Sequence, residues 1–146
     1  MSAAHILGAS GYAAAELIRL LDRHPGVTLG ALESRSSAGT RVADAFPWLP
    51  HLRAAFDGPG AVLERVREDE VVFIAGGRDV ARESAPALLS RHARVIDLSD
   101  AFRLDEHAGE AVFGLPERYR DRIARARLVA NPGCYVTSAL LALVPL

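Results

Sequence analysis

Short runs of apolar residues alternate along the chain with stretches in which apolar positions recur at helical spacing. The apolar runs are typical of short buried strands, and they fall at 6–7, 27–32, 71–75, 94–98 and 128–130. Between them, helical patterns run through Leu17 and Leu21, through 61–68, and through Ala85 and Leu88. Strands separated by helices in this way predict right-handed βαβ crossovers. We therefore expect an α/β fold with a doubly wound, mostly parallel sheet.

Small or polar residues follow each predicted strand: Gly8, Ser34, Gly76, Ser99 and Asn131. In a parallel sheet the carboxyl ends of the strands lie at one edge, and ligands bind at that edge. The sequence therefore predicts that these positions surround one ligand site.

A glycine-rich turn joins the first predicted strand to the first predicted helix, with Gly8, Gly11 and Ala14 spaced three residues apart. This is a shifted relative of the dinucleotide fingerprint, in which the glycines allow a tight turn and a close approach to a diphosphate. Ser10 and Tyr12 lie in the same turn and are further candidates for cofactor binding. The alternative is a pair of turn glycines that binds no ligand.

The end of the second predicted strand helps to distinguish NAD from NADP. NAD-binding domains usually place an acidic residue there, whereas a 2′-phosphate needs hydrogen-bond donors and positive charge. Ser34, Arg35 and Ser36 supply such donors, but Glu33 argues for NAD if its carboxylate points at the ribose. We favour NADP, with an exposed polar loop as the alternative.

Cys134 is the only cysteine, and it follows Asn131-Pro132-Gly133 between the last predicted strand and a helical run that we expect to begin near Thr137. A helix N-terminus favours thiolate over thiol, so the position suits a catalytic nucleophile. A buried structural cysteine is the alternative.

Composition narrows the function classes. With 146 residues and a net charge of −1, the chain has the length of one domain and no basic excess that would indicate nucleic acid or membrane binding. One cysteine and no evident signal peptide predict a soluble, cytoplasmic protein. No metal-ligand spacing is present. The arginines of 117–127 are interpreted as a solvated helix face, and Trp48 as local packing within a loop at 34–60.

Taken together, several segments resemble the N-acetyl-gamma-glutamyl-phosphate reductases of arginine biosynthesis. They occur in the order of that family across nearly the whole chain: Gly8-Ala9-Ser10-Gly11-Tyr12, Ser34-Arg35-Ser36, Val95-Ile96-Asp97-Leu98-Ser99, Phe102-Arg103-Leu104, Gly114-Leu115-Pro116-Glu117 and Asn131-Pro132-Gly133-Cys134-Tyr135.

The resemblance implies an oxidoreductase in which residues 1–146 form a Rossmann-like NADP-binding domain with the nucleophile at its C-terminal end. The Cys134 thiolate attacks an acyl phosphate, phosphate leaves, and NADPH reduces the thioacyl enzyme to a semialdehyde. Asn131 is a candidate donor to the developing oxyanion, with a role in shaping the turn before Pro132 as its alternative. The family also carries a second domain with the acid/base histidine, most substrate contacts and the oligomer interface, so we expect this chain alone to be inactive.

Some positions depart from the family pattern. Ala14 replaces a glycine, Gly76-Gly77-Arg78-Asp79 replaces Leu-Pro-His-Gly, Asp100-Ala101 inverts the usual order, and the segment between Leu104 and Phe113 is short. The family's histidine motif is not matched, and we expect surface, capping or loop roles for His5, His24, His51, His92 and His107. Two alternatives remain open: a non-catalytic nucleotide-binding module, or a reductase for carrier-linked glutamyl or aminoadipyl phosphate or for aspartyl phosphate.

Overall fold

The computed structural model describes residues 1–104 and 109–144. Its strands are β1 (Ser2–Leu7), β2 (Val27–Glu33), β3 (Val71–Ile74), β4 (Arg94–Asp97), β5 (Val112–Phe113) and β6 (Leu128–Ala130). Its helices are α1 (Tyr12–Asp22), α2 (Val42–Ala45), α3 (Ala61–Arg65), α4 (Arg78–Ser90), α5 (Pro116–Arg125) and α6 (Cys134–Leu143).

The strands form one six-stranded sheet in the order β2-β1-β3-β4-β6-β5, and every pair is parallel. The predicted α/β fold with a doubly wound sheet is therefore confirmed. The sequence reading missed β5, because its two residues are too few to show a pattern. Gly114 N–H extends this edge strand by donating to Ala130 C=O at 2.8 Å.

The sheet is covered on both faces by apolar clusters. Successive residues of a strand belong to opposite clusters. Ala31 and Val72 belong to one cluster with Leu88 of α4, whereas Leu32 belongs to the other with Ile18 of α1. This alternation follows from the two-residue period of a strand. In doubly wound sheets of this kind, ligands bind at the carboxyl edge.

The predicted loop at 34–60 contains α2 and packs against the core. Phe46 is buried, and its ring centroid lies 5.5 Å from that of Trp48 and 5.8 Å from that of Phe56. Local packing of this segment is therefore confirmed, although Trp48 keeps 55% of its surface exposed.

The expected surface role of His5 is wrong, because this side chain is buried in β1. Between the pairs Ala4–Leu29 and Ile6–Leu32, two residues of β2 lie opposite His5, which makes a bulge. His5 Nδ1 accepts a hydrogen bond from the Ala31 N–H at 3.0 Å, in place of a backbone acceptor of the ladder. The bulge thus leaves the Ala31 N–H without an acceptor in the ladder, and the His5 imidazole accepts its hydrogen bond.

The other described histidines have the expected roles. His24 accepts a hydrogen bond from the Gly26 N–H after α1, His51 pairs with Asp22 on the surface, and His92 is exposed in a turn. His107 lies outside the described residues.

Helix α6 begins at Cys134, not near Thr137 as predicted. Gly133 is its extended N-cap residue, and Thr137 N–H closes the first turn by donating to Gly133 C=O at 2.9 Å. The run from Ala139 to Val144 is apolar on all sides, a pattern that predicts burial on both sides, but none of the helix residues is buried in the described structure. No helix in the described part of the chain is both long and apolar enough to cross a bilayer.

Candidate cofactor and nucleophile site

The glycine turn after β1 is held tightly against neighbouring strands. Gly8 has a φ of 87°, and the N–H groups of Gly8 and Ala9 both donate to Glu33 C=O, at 3.0 and 2.8 Å. A Cβ atom on Gly8 would lie 2.7 Å from the Gly76 nitrogen. Only glycine fits here, because the position combines a left-handed backbone with a close approach of the turns after β1 and β3.

Helix α1 starts directly after this turn. Its N-cap residue is Gly11, which has no side chain to cap the helix. Backbone N–H groups in the first turn of a helix have no intrahelical acceptor and attract anions. Tyr12 is 90% exposed, whereas Ala14 is fully buried against the sheet. Ala14 therefore takes the packing position of the fingerprint.

Serine hydroxyl groups connect the glycine turn to the end of β2. Ser34 Oγ donates to Ser10 Oγ at 2.9 Å and accepts the Ser37 N–H at 3.2 Å, and Ser36 Oγ lies 3.5 Å from Ser10 Oγ. Arg35 extends into solvent, with a guanidinium nitrogen 3.8 Å from Glu83.

The Glu33 carboxylate has a structural partner. Its Oε2 accepts the Val62 N–H of α3 at 3.0 Å, and the residue is 9% exposed. This hydrogen bond connects the end of β2 to the first turn of α3.

A cavity of about 230 Å³ opens at this end of the sheet. It is lined by Leu7, Gly8, Ser10, Glu33, Ser34, Arg35, Ser36, Gly76, Val80 and Ser84. Most of the predicted cofactor residues are thus brought together, while Gly11, Tyr12 and Ala14 belong to the adjoining turn and helix.

The cysteine turn lies at the same sheet edge, after β6. Asn131 N–H donates to Asp97 C=O at 2.8 Å, which joins the ends of β6 and β4. Asn131 Nδ2 donates to Pro132 C=O at 3.1 Å. Cys134 is the first residue of α6, and it is exposed in the described structure, not buried.

Arg103 is a neighbour of this turn to which the sequence reading gave no role. Its Nε donates to Asn131 C=O at 2.7 Å, and its Nη2 donates to Leu98 C=O at 2.9 Å. A Cβ atom on Gly133 would lie 3.1 Å from Arg103 Nη1. Its place in the Phe102-Arg103-Leu104 segment is the signal that could have identified it.

A second cavity of about 500 Å³ adjoins the cysteine turn. It is lined by Arg78, Asp100, Arg103, Leu104, Phe113, Gly133 and Val136. A larger cavity, of about 740 Å³, lies between α4 and α5 and contains none of the predicted site residues. Within the described ranges, no cluster of side chains is suited to holding a metal ion.

Comparison with known proteins agrees with this arrangement. Residues 3–126 match the family model described as semialdehyde dehydrogenase, NAD binding domain. The chain is 44% identical, over all of its length and 47% of the relative, to an N-acetyl-gamma-glutamyl-phosphate reductase of Acidithiobacillus ferrooxidans. It is 46% identical, over 98% of its length and 46% of the relative, to a protein of the same name from Neisseria gonorrhoeae. The chain thus spans about half the length of the curated relatives it matches.

Two solved structures share the fold. Aspartate semialdehyde dehydrogenase II from Vibrio cholerae, complexed with ASA, superposes with a TM-score of 0.72 at 21% identity, covering 99% of this chain and 46% of that one. Aspartate semialdehyde dehydrogenase with NADP from Candida albicans gives 0.67 at 24% identity, covering 85% and 36%.

Proposed function

Because the chain belongs to the semialdehyde dehydrogenase NAD-binding domain family, we propose that it is the cofactor-binding and nucleophile-carrying part of an NADP-dependent N-acetyl-gamma-glutamyl-phosphate reductase. At the coarser level it is an NAD(P)-binding domain of an oxidoreductase. The observation that carries the proposal is the exposed Cys134 at the start of α6, on the same sheet edge as the glycine turn.

The residues at the glycine turn fit a dinucleotide. Gly8 packs closely against Gly76, and α1 begins directly after this turn, so that the N–H groups of its first turn are available to a diphosphate. The residues that would hold the cofactor are Gly8, Ser10, Gly11, Tyr12, Ala14, Ser34, Arg35, Ser36 and Gly76. When bound, NADPH supplies the hydride that releases the aldehyde.

The end of β2 supports a preference for NADP. The Glu33 carboxylate is engaged by the Val62 N–H, which supports a capping role over ribose binding. Ser34, Ser36 and the exposed Arg35 then supply the donors and the positive charge that a 2′-phosphate needs.

The proposed chemistry begins at Cys134. Its Sγ bonds to the acyl carbon and the C–O bond to phosphate breaks, so that one difficult displacement becomes two easier steps. Arg103 lies beside the turn as a cation for the departing phosphate, and the second N–H of the Asn131 amide is a candidate donor to the oxyanion.

The cofactor preference is tested by calorimetric titration of the chain with NADPH and NADH. We expect tighter binding of NADPH and a loss of that preference in Arg35→Ala. Arg53→Ala removes an equal charge from an exposed position away from this cavity and is the control. Equal affinities for the two cofactors, or an Arg35→Ala variant that behaves like the control, would reject the assignment.

Turnover is tested by phosphate-dependent reduction of NADP with N-acetylglutamate semialdehyde, on this chain and on any longer product of its gene. No described histidine lines either cavity, and general acid–base help is commonly worth about 10²- to 10⁴-fold. We therefore expect little turnover by the chain alone and activity in a longer product that disappears in Cys134→Ser. Activity that survives Cys134→Ser would refute the nucleophile.

Three further proposals follow from the family resemblance: residues 1–146 form one cofactor domain, the complete enzyme is a homo-oligomer, and it works in the cytoplasm. The oligomeric state is measured by light scattering of the longest gene product.

A further inference from the structure

At the carboxyl edge of the sheet, Arg78 at the start of α4 forms an ion pair with Asp100 in the segment after β4. Arg78 opens α4 after β3, and its Nε donates to Asp100 Oδ1 at 3.0 Å, while its Nη2 contacts Asp100 Oδ2. The hydrogen bond from Arg78 outweighs desolvation and lowers the pKa of the Asp100 carboxyl.

This ion pair lines the 500 Å³ cavity together with Arg103. Gly133 and Val136, which flank Cys134 along the chain, line the same cavity. The described lining therefore contains two guanidinium groups and one carboxylate close to the reactive turn. Removing the charge of Arg78 makes the cavity more negative, and removing the charge of Asp100 makes it more positive.

The ion pair contributes little to the stability of the fold. Both side chains are 50% exposed, and exposed ion pairs add little to stability because water and salt screen them. Its effect on the local potential is more direct, because a cavity walled by protein screens charges less than open water does.

We propose that the Arg78–Asp100 pair determines specificity for substrate charge: Asp100 offsets Arg78 and thereby sets how strongly the cavity attracts an anionic group toward Cys134. The inference rests on the proposed role of Cys134. Loss of the Asp100 charge should strengthen that attraction, and loss of the Arg78 charge should weaken it.

The test compares alkylation of Cys134 by iodoacetate, which is anionic, and by iodoacetamide, which is neutral. Both reagents react with the same thiolate. The rate constant for iodoacetate divided by that for iodoacetamide therefore reports the local electrostatic potential. Cys134 is the only cysteine, so all labelling occurs there. At low salt we expect Arg78→Gln to lower the ratio and Asp100→Asn to raise it, each by about two- to threefold, with smaller effects at high salt. The double variant should return to the wild-type ratio.

Matched controls come from the opposite edge of the sheet, where Arg127 Nη1 lies 2.6 Å from Asp69 Oδ1. Arg127→Gln and Asp69→Asn make the same changes in net charge and should leave the ratio unchanged. Single variants of the Arg78–Asp100 pair that move the ratio in the same direction, or no further than these controls, would overturn the inference.

Arg103→Gln separates this inference from the proposed function. It should lower the ratio in either case, because its guanidinium adjoins the cysteine turn. If the ratio responds to Arg103→Gln but not to the pair, only the inference fails. If the wild-type chain does not bind NADPH and Cys134 reacts no faster than a free thiol, the proposed function fails, and with it the premise of the inference.

Discussion

Replacing His5 should destabilise the chain because its imidazole satisfies two long-range partners. Nδ1 accepts the Ala31 N–H at 3.0 Å, so the ring proton lies on Nε2, which donates to Glu70 Oε2 at 3.1 Å. A buried N–H left without an acceptor costs about 1–3 kcal/mol, and the lost bond to Glu70 adds about 1 kcal/mol. We therefore expect His5→Leu to lower the free energy of unfolding by about 2–4 kcal/mol.

Two variants make this reasoning specific. His5→Asn places an amide oxygen near the position of Nδ1 and should recover about 1 kcal/mol or more of the loss. His51→Leu removes an exposed histidine that pairs with Asp22 at 2.8 Å, and it should cost less than about 1 kcal/mol.

The assay is urea unfolding, followed by circular dichroism and by the fluorescence of Trp48, the only tryptophan. With a slope of about 1–3 kcal/mol per molar urea, His5→Leu should lower the midpoint by about 0.7 M or more. A His5→Leu midpoint that matches that of His51→Leu, or a His5→Asn variant no more stable than His5→Leu, would refute the account of the bulge.

Two further predictions concern the glycine turn and acid stability. Gly8→Ala should lower NADPH affinity at least about tenfold in calorimetry, because its Cβ would lie 2.7 Å from the Gly76 nitrogen; Gly39→Ala has a similar φ of 80° in open space and should change stability only. Burial raises the pKa of Glu70, but hydrogen bonds from the Arg67 N–H and from His5 outweigh it and leave the pKa lowered. Since the folded pKa is the lower one, this stabilisation is present above the ordinary value of about 4.3 and is lost as the pH falls through the folded pKa. Glu70→Gln should therefore flatten the acid limb of stability measured by urea titration, and an unchanged limb would contradict this.

Local sequence pattern determined much of the architecture and the sheet edge at which the candidate site lies. The alternation of short apolar runs with helical spacing was enough to predict the parallel sheet, because a strand and a helix bury residues with different periods. Once the sheet was predicted, the carboxyl edge followed, and with it the grouping of Gly8, Ser34 and Gly76 around one cavity. Asn131 follows β6 at the same edge but does not line that cavity.

Only the tertiary structure decided which polar side chains are partners. His5 lies 26 residues from Ala31 and 65 from Glu70, and no local pattern relates them. The same holds for Glu33 with Val62 and for Arg78 with Asp100. Periodicity records which positions avoid water, whereas a hydrogen bond or an ion pair depends on strand register and loop geometry. These are fixed only when the whole sheet assembles.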